Sequence, residues 1–103
     1  DLGHIGKEIL TELAETKSYN IKANYNDCGV LMFDKATQDT HSGGSGCACC
    51  ATIFSGYLFN KLKQKELKKI LLIATGALTN ATSNQQGESI PGIAHAIAIE
   101  TDI

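Results

Sequence analysis

Hydrophobic and polar positions along the chain follow two periods, one helical and one of the extended strand. Over Ile5 to Thr16 (IGKEILTELAET), Ile5, Ile9, Leu10 and Leu13 recur at helical spacing with charged residues between them, which predicts an amphipathic helix. The stretch SYNIKANYND that follows is polar and rich in turn formers, and CGVLMF after it, with Val30, Leu31 and Phe33, reads as a short strand. From Gly46 onward CACCATIFSGYLFNKLK places Cys47, Ala51, Phe54, Leu58 and Leu62 on one stripe, predicting a central buried helix over Cys47 to Lys63. The small residues Ala48, Cys49, Ala51, Ser55 and Gly56 on this helix permit close approach of a neighbour. KKILLIATG is too short and too continuously apolar for an amphipathic helix and reads as an interior strand covered on both faces. After the polar loop TNATSNQQGES, the run GIAHAIAIE alternates isoleucine with alanine at period two, apart from His95, and reads as a second strand. Helix, strand, helix, strand, strand is an α/β order.

Composition narrows this picture. A chain of 103 residues with 43% hydrophobic and 19% charged residues fits one small globular domain, not a disordered segment. A formal charge of −2, with lysines scattered between acids, supplies no basic field for a phosphate backbone, so nucleic acid is excluded as a partner. The sequence shows neither a run of about 18 apolar residues nor a charged-then-apolar leader, so neither a membrane span nor a signal peptide is expected. The first residue is Asp1 and the last segment ends in a strand-like pattern, and the sequence reads as a piece of a longer protein.

The four cysteines raise three readings. Cys47 and Cys50 have C-x-x-C spacing, and with Cys28 and His41 they would complete a tetrahedral zinc set, but no second paired motif accompanies them and no metal is expected. A redox reading fails for lack of the βαβ surroundings of a thioredoxin-type motif. The remaining reading makes Cys49 and Cys50 small buried hydrophobes in a tightly packed helix.

The stretch THSGGSGCACC, Thr40 to Cys50, gathers three of the ten glycines and three of the four cysteines ahead of that helix. Unpaired backbone N–H groups and the helix dipole at such a turn suit an anion or carboxylate, and glycine permits both close approach and positive φ. Turns of this kind also serve only to pack a helix on a sheet.

QDTHSGGSGCACCATIF, KKILLIATGAL, TSNQQGESIPGIAHAIAIE and DLGHIGKEIL resemble the stage V sporulation protein AD family, thiolase-like proteins of spore-forming bacteria, across essentially the whole chain. The resemblance is to the C-terminal third of such proteins. It implies an α/β thiolase-like fold in which residues 1–103 form a partial C-terminal domain, the truncated end of the second αβ half. Each half of that fold has a mixed five-stranded sheet ordered 3-2-1-4-5 with the last strand antiparallel, and this chain holds strands three, four and five of its half. CGVLMF is then expected at one edge and KILLIATG paired with GIAHAIAIE, with the absent strands one and two standing between. The implied function is binding of dipicolinic acid for uptake into the developing spore, together with the other stage V sporulation A proteins at the inner spore membrane, and a homodimer is compatible with it.

Condensing enzymes of this fold draw from the C-terminal half a histidine at a strand-to-helix turn and a second His or Asn at a glycine-rich turn, both serving a cysteine of the N-terminal half. The corresponding turns here are DLGHIG and HSGGSGC: His4 or Asp1 falls at the first, while Gly44, Ser45 and Gly46 stand where an amide or imidazole belongs at the second. A serine hydroxyl is no general base near neutral pH, so no catalytic residue and no cofactor is expected. Backbone N–H groups of Gly43, Gly44, Ser45, Gly46 and Cys47 and the hydroxyls of Ser42 and Ser45 are the groups expected to receive a ligand carboxylate, with His4 or His41 as the nearby imidazole.

Other roles stay open for the same residues. His4 also fits a packed helix start and His41 a solvated loop, while His95 on an isoleucine face reads as a core residue. Gln85, Gln86, Glu88 and Ser89 form a polar loop between the last two strands that reads either as a rim of the cleft or as a solvated loop, and LKQKELKK, Leu62 to Lys69, with four lysines and one acid, reads as a solvated helix end and turn or as a contact for an anionic membrane or a partner. A dipicolinate-binding protein, an acyl-coenzyme A-dependent thiolase or ketoacyl synthase-type transferase, and a zinc or interaction module are the function classes that remain.

Overall fold

A computed structural model describes residues 2–41 and 50–101 of the chain. Helix α1 spans Gly3–Thr16, as the 3.6-residue pattern predicts, and ends on a left-handed Ser18 whose N–H donates to the Glu15 carbonyl. Helix α2, Cys28–Met32, packs against α1. A long helix then runs as α3 (Cys50–Ile53), a π-helical turn (Phe54–Leu58) and α4 (Phe59–Lys63). Strand β1, Lys69–Ala77, leads through the one-turn helix α5, Ala81–Asn84, to strand β2, Gly92–Glu100.

The run CGVLMF is not a strand. Asp27 sits before it in extended conformation and its carboxylate accepts the N–H groups of Gly29 and Val30, closing the first turn of a helix instead. Apolar periodicity over five residues cannot separate the two outcomes, and the cap decides. The order of the larger elements is therefore helix, helix, helix, strand, strand, a mixed helix-and-strand fragment with one two-stranded sheet among the described residues.

The two strands pair antiparallel along their whole nine-residue lengths, from Lys69 opposite Glu100 to Ala77 opposite Gly92, which is the pairing expected of KILLIATG and GIAHAIAIE. Residues opposite one another share a face. Ile70, Leu72, Ile97 and Ile99 thus lie on one face and Leu71, Ile73, Ala96 and Ala98 on the other. The first face meets the long helix, where Ile99 joins Phe54, Phe59 and Leu62 around a groove of about 310 Å³. β1 is not covered on both faces as its apolar run predicts: Leu71 is 64% and Ile73 40% exposed among the described residues. His95 is likewise exposed and no core residue, although it does share the isoleucine face.

Ile53 and Leu62, both on the long helix, are the large apolar side chains buried among the described residues. Between them the backbone widens to a π turn closed by the Phe59 N–H donating to the Phe54 carbonyl. Ser55 Oγ donates to the Ala51 carbonyl at 2.8 Å and Asn60 Nδ2 to the Gly56 carbonyl at 3.1 Å, so side chains supplement the ladder on either side of Gly56. Phe54 and Phe59 stack tilted, 6.0 Å apart. The loop after β1 turns on Asn80, whose side chain accepts the Ser83 N–H at 2.7 Å to start α5.

Candidate functional site

Of the residues expected to contact a ligand, His4 and His41 lie within the described part of the chain; Ser42, Gly43, Gly44, Ser45, Gly46 and Cys47 lie outside the described residues, as does Asp1. Of the thiols among the described residues, Cys28 at the start of α2 and Cys50 on α3 are half-buried.

His4 is the second residue of α1 and half-buried. What holds it there is a junction absent from the sequence reading. The residue ahead of α1, Leu2, offers no side-chain cap; instead the Leu2 N–H donates to Asp27 Oδ1 and the Gly3 N–H to Asp27 Oδ2 at 3.0 Å. Oδ2 also accepts from Gly29 at 2.8 Å and Val30 at 3.2 Å. One carboxylate, 4% exposed, thereby closes the N-terminal ends of two helices, where orphan N–H groups and both dipoles favour a negative charge. The sequence signal was the pair Asn26-Asp27 ahead of a new element, an N-cap signature, but its reach to α1 lies 24 residues away and leaves no local trace.

Side chains around this junction are polar. Asn26 Oδ1 accepts from the Asp27 N–H at 2.9 Å and from Lys7 Nζ at 3.3 Å, and Lys7 stands three residues after His4, one helical turn along the same surface. Burial lifts the Tyr25 phenol above its ordinary ionisation range, and the negative charges of Asp27 and Cys28 add to the effect. The helix start thus presents an imidazole and an ammonium, while its first two N–H groups are already committed to Asp27.

His41 ends a loop folded on Asp34, whose carboxylate accepts from the Ala36 N–H and the Thr37 hydroxyl at 3.0 Å each. His41 itself takes a left-handed conformation, φ 53°, and its Nδ1 lies 3.7 Å from the Asp39 carboxylate with both side chains in water. An open hollow of about 380 Å³ lies against Lys35, Thr37, Gln38, Asp39 and His41; His4 does not line it. The structure therefore places the imidazoles of His4 and His41 in different surroundings, one in the helix junction and one on an exposed loop.

The polar loop Gln85, Gln86, Glu88 and Ser89 is exposed. Of the lysines near the end of the long helix, Lys61 pairs with Glu66 at 2.8 Å and Lys69 with Glu100 at 2.9 Å, while Lys63 lies over the Phe59 ring. No helix among the described residues is long and apolar enough to cross a membrane, and no group of three His, Cys, Asp or Glu side chains among them stands ready to hold a metal.

The family model described as stage V sporulation protein AD (SpoVAD) matches residues 1–100. The curated stage V sporulation protein AD of Bacillus subtilis (strain 168) is 36% identical over 100 residues, which cover 97% of this chain and 29% of that protein. The chain thus spans less than a third of the length of that relative.

Proposed function

The chain belongs to the stage V sporulation protein AD family, which supports a role in sporulation, and from that premise we propose that the protein containing it binds dipicolinic acid for uptake into the developing spore without transforming it. The observation that carries the reading is the family match over residues 1–100 of a chain whose glycine-rich turn reads HSGGSGC. On a thiolase-like fold, the proposed architecture, that turn lies where condensing enzymes keep an imidazole or amide. Gly44, Ser45 and Gly46 provide none, so proton transfer from this side of the cleft is lost while backbone N–H donors are kept.

Dipicolinate is a flat dianion. In the proposed site Ser42 and Ser45 hydroxyls and the N–H groups of Gly43 to Cys47 receive one carboxylate, and an imidazole, His4 or His41, answers its charge. The proposed setting is the inner spore membrane alongside other stage V sporulation A proteins.

Calorimetric titration of the complete protein with dipicolinate tests the proposal. Saturable binding with no release of coenzyme A from acyl-coenzyme A is the expected result. Steady release of coenzyme A would instead assign the protein to the acyl-transfer enzymes.

A further inference from the structure

We propose that Asp27 is a positioning residue: by holding the N–H groups of Leu2 and Gly3 it fixes where the His4 imidazole stands, and through His4 it sets affinity for the dicarboxylate. The inference rests on the dipicolinate reading above and adds to it a residue that never touches the ligand.

Three observations converge on this. Gly3, the residue immediately before His4, is buried in the left-handed region at φ 75° and is held there through its N–H bond to Asp27 Oδ2. Helix α1 has no cap of its own, so the direction in which its first turn leaves the chain depends on that bond and on the Leu2 bond to Oδ1. The same oxygen Oδ2 is held in turn by Gly29 and Val30 of α2, so the anchor is itself fixed by a second helix. A small displacement of the first turn carries the imidazole with it, since His4 follows Gly3 directly, and charge-assisted recognition of a rigid planar dianion tolerates little misplacement.

The two carboxylate oxygens accept from different donors among the described residues, Oδ1 from Leu2 and Oδ2 from Gly3, Gly29 and Val30, which makes a selective test possible. An Asn side chain with its oxygen in the place of Oδ2 still accepts from Gly3, Gly29 and Val30, but presents an NH₂ group to the Leu2 N–H in place of Oδ1. Asp27→Asn in the complete protein is therefore expected to fold, to shift the His4 imidazole resonances in proton–carbon spectra, and to weaken dipicolinate binding about tenfold. Asn80→Ala, which removes the cap of α5, is the control for general loss of stability and is expected to leave affinity unchanged. Failure of the unsubstituted protein to bind dipicolinate overturns the ligand reading and this inference together. Binding by the unsubstituted protein with equal affinity in Asp27→Asn, or an equal loss of affinity in Asn80→Ala, overturns this inference alone.

Discussion

Gly3 donates its backbone N–H to the carboxylate of Asp27, 24 residues further along the chain, at 3.0 Å. The bond turns a residue with the turn chemistry of a local cap into the link between two helices, because the same carboxylate closes the first turn of α2. Helix α1 depends on a tertiary contact for what most helices obtain from their own N-cap.

Asp27→Ala is expected to lower stability by about 3 kcal/mol, combining the loss of a cap with donors left unsatisfied in a buried site. Denaturant unfolding of the complete protein measures it. A loss under about 1 kcal/mol, the size of an ordinary exposed cap, would mean that α1 does not rely on this carboxylate.

Gly6 gives an independent test of the same junction. A Cβ at Gly6 runs into the Leu2 Cβ, so Gly6→Ala must push Leu2 aside and draw its N–H away from Asp27. Alanine gains about 1 kcal/mol in helix propensity, and overpacking costs about 1 to 3 kcal/mol, so a net loss of stability is expected. The variant proving more stable than the unsubstituted protein would show that Leu2 relaxes freely.

How far these features are legible in the sequence depends on the range of the forces behind them. The helix at Ile5 to Thr16 and the second strand follow from periodicity and the first strand from its short continuous apolar run, and the register Lys69 to Glu100 brings opposite charges together at the sheet's end. The run CGVLM carries no usable period, and its helix is decided by hydrogen bonds from Asp27. The apolar continuity of KILLIATG reads as two covered faces, yet Leu71 is 64% and Ile73 40% exposed among the described residues, since an apolar run reports what a strand's composition suits and not which neighbours cover it. His95 follows the same logic, sharing a face with Ile93 and Ile97 at the open end of the sheet. His4 is singled out by the resemblance of DLGHIG to a family turn, whereas nothing in the sequence shows that Asp27 reaches the start of the helix carrying it.

Tyr25 ties the junction to pH. Burial, followed by the charges of Asp27 and Cys28, raises its ionisation above the ordinary 10.0, so the folded protein favours the neutral phenol. The resulting stability is complete below pH 10 and is lost as pH rises through the folded-state value. The ultraviolet difference titration between the protein and its Tyr25→Phe variant is expected to show a midpoint above 10. A midpoint at or below 10 would place the phenol in water.

Lys69 and Glu100 face each other across the strands at 2.9 Å, both largely exposed. Screening limits such a pair to less than about 1 kcal/mol. Lys69→Glu sets like charges opposite one another and is expected to lower the unfolding midpoint slightly at low salt, with the difference fading towards 1 M salt, where the screening length is about 3 Å. A difference that persists at high salt would point to packing of the lysine stem instead.

The exposed apolar faces predict how residues 1–103 behave when expressed alone. Ile53 and Leu62 are the buried apolar residues described, whereas Leu71, Ile97 and Ile9 are each 60% or more exposed, at 64%, 61% and 60%. Leu71 and Ile97 lie on opposite faces of a two-stranded sheet, and a sheet of two strands with little covering it is marginal in water. Apolar surface on both faces, together with an outer edge of β1 that pairs with no other described strand, favours association between copies. Size-exclusion chromatography with light scattering is expected to show oligomers that grow with concentration and no cooperative thermal transition. Leu71→Glu with Ile97→Lys is expected to reduce that association, because it places a charge on each open face, and it does so without enlarging the small core at Ile53 and Leu62. A monomer that unfolds cooperatively, with the double substitution changing nothing, would show that the small helix-and-sheet cluster around Ile53 and Leu62 is sufficient by itself.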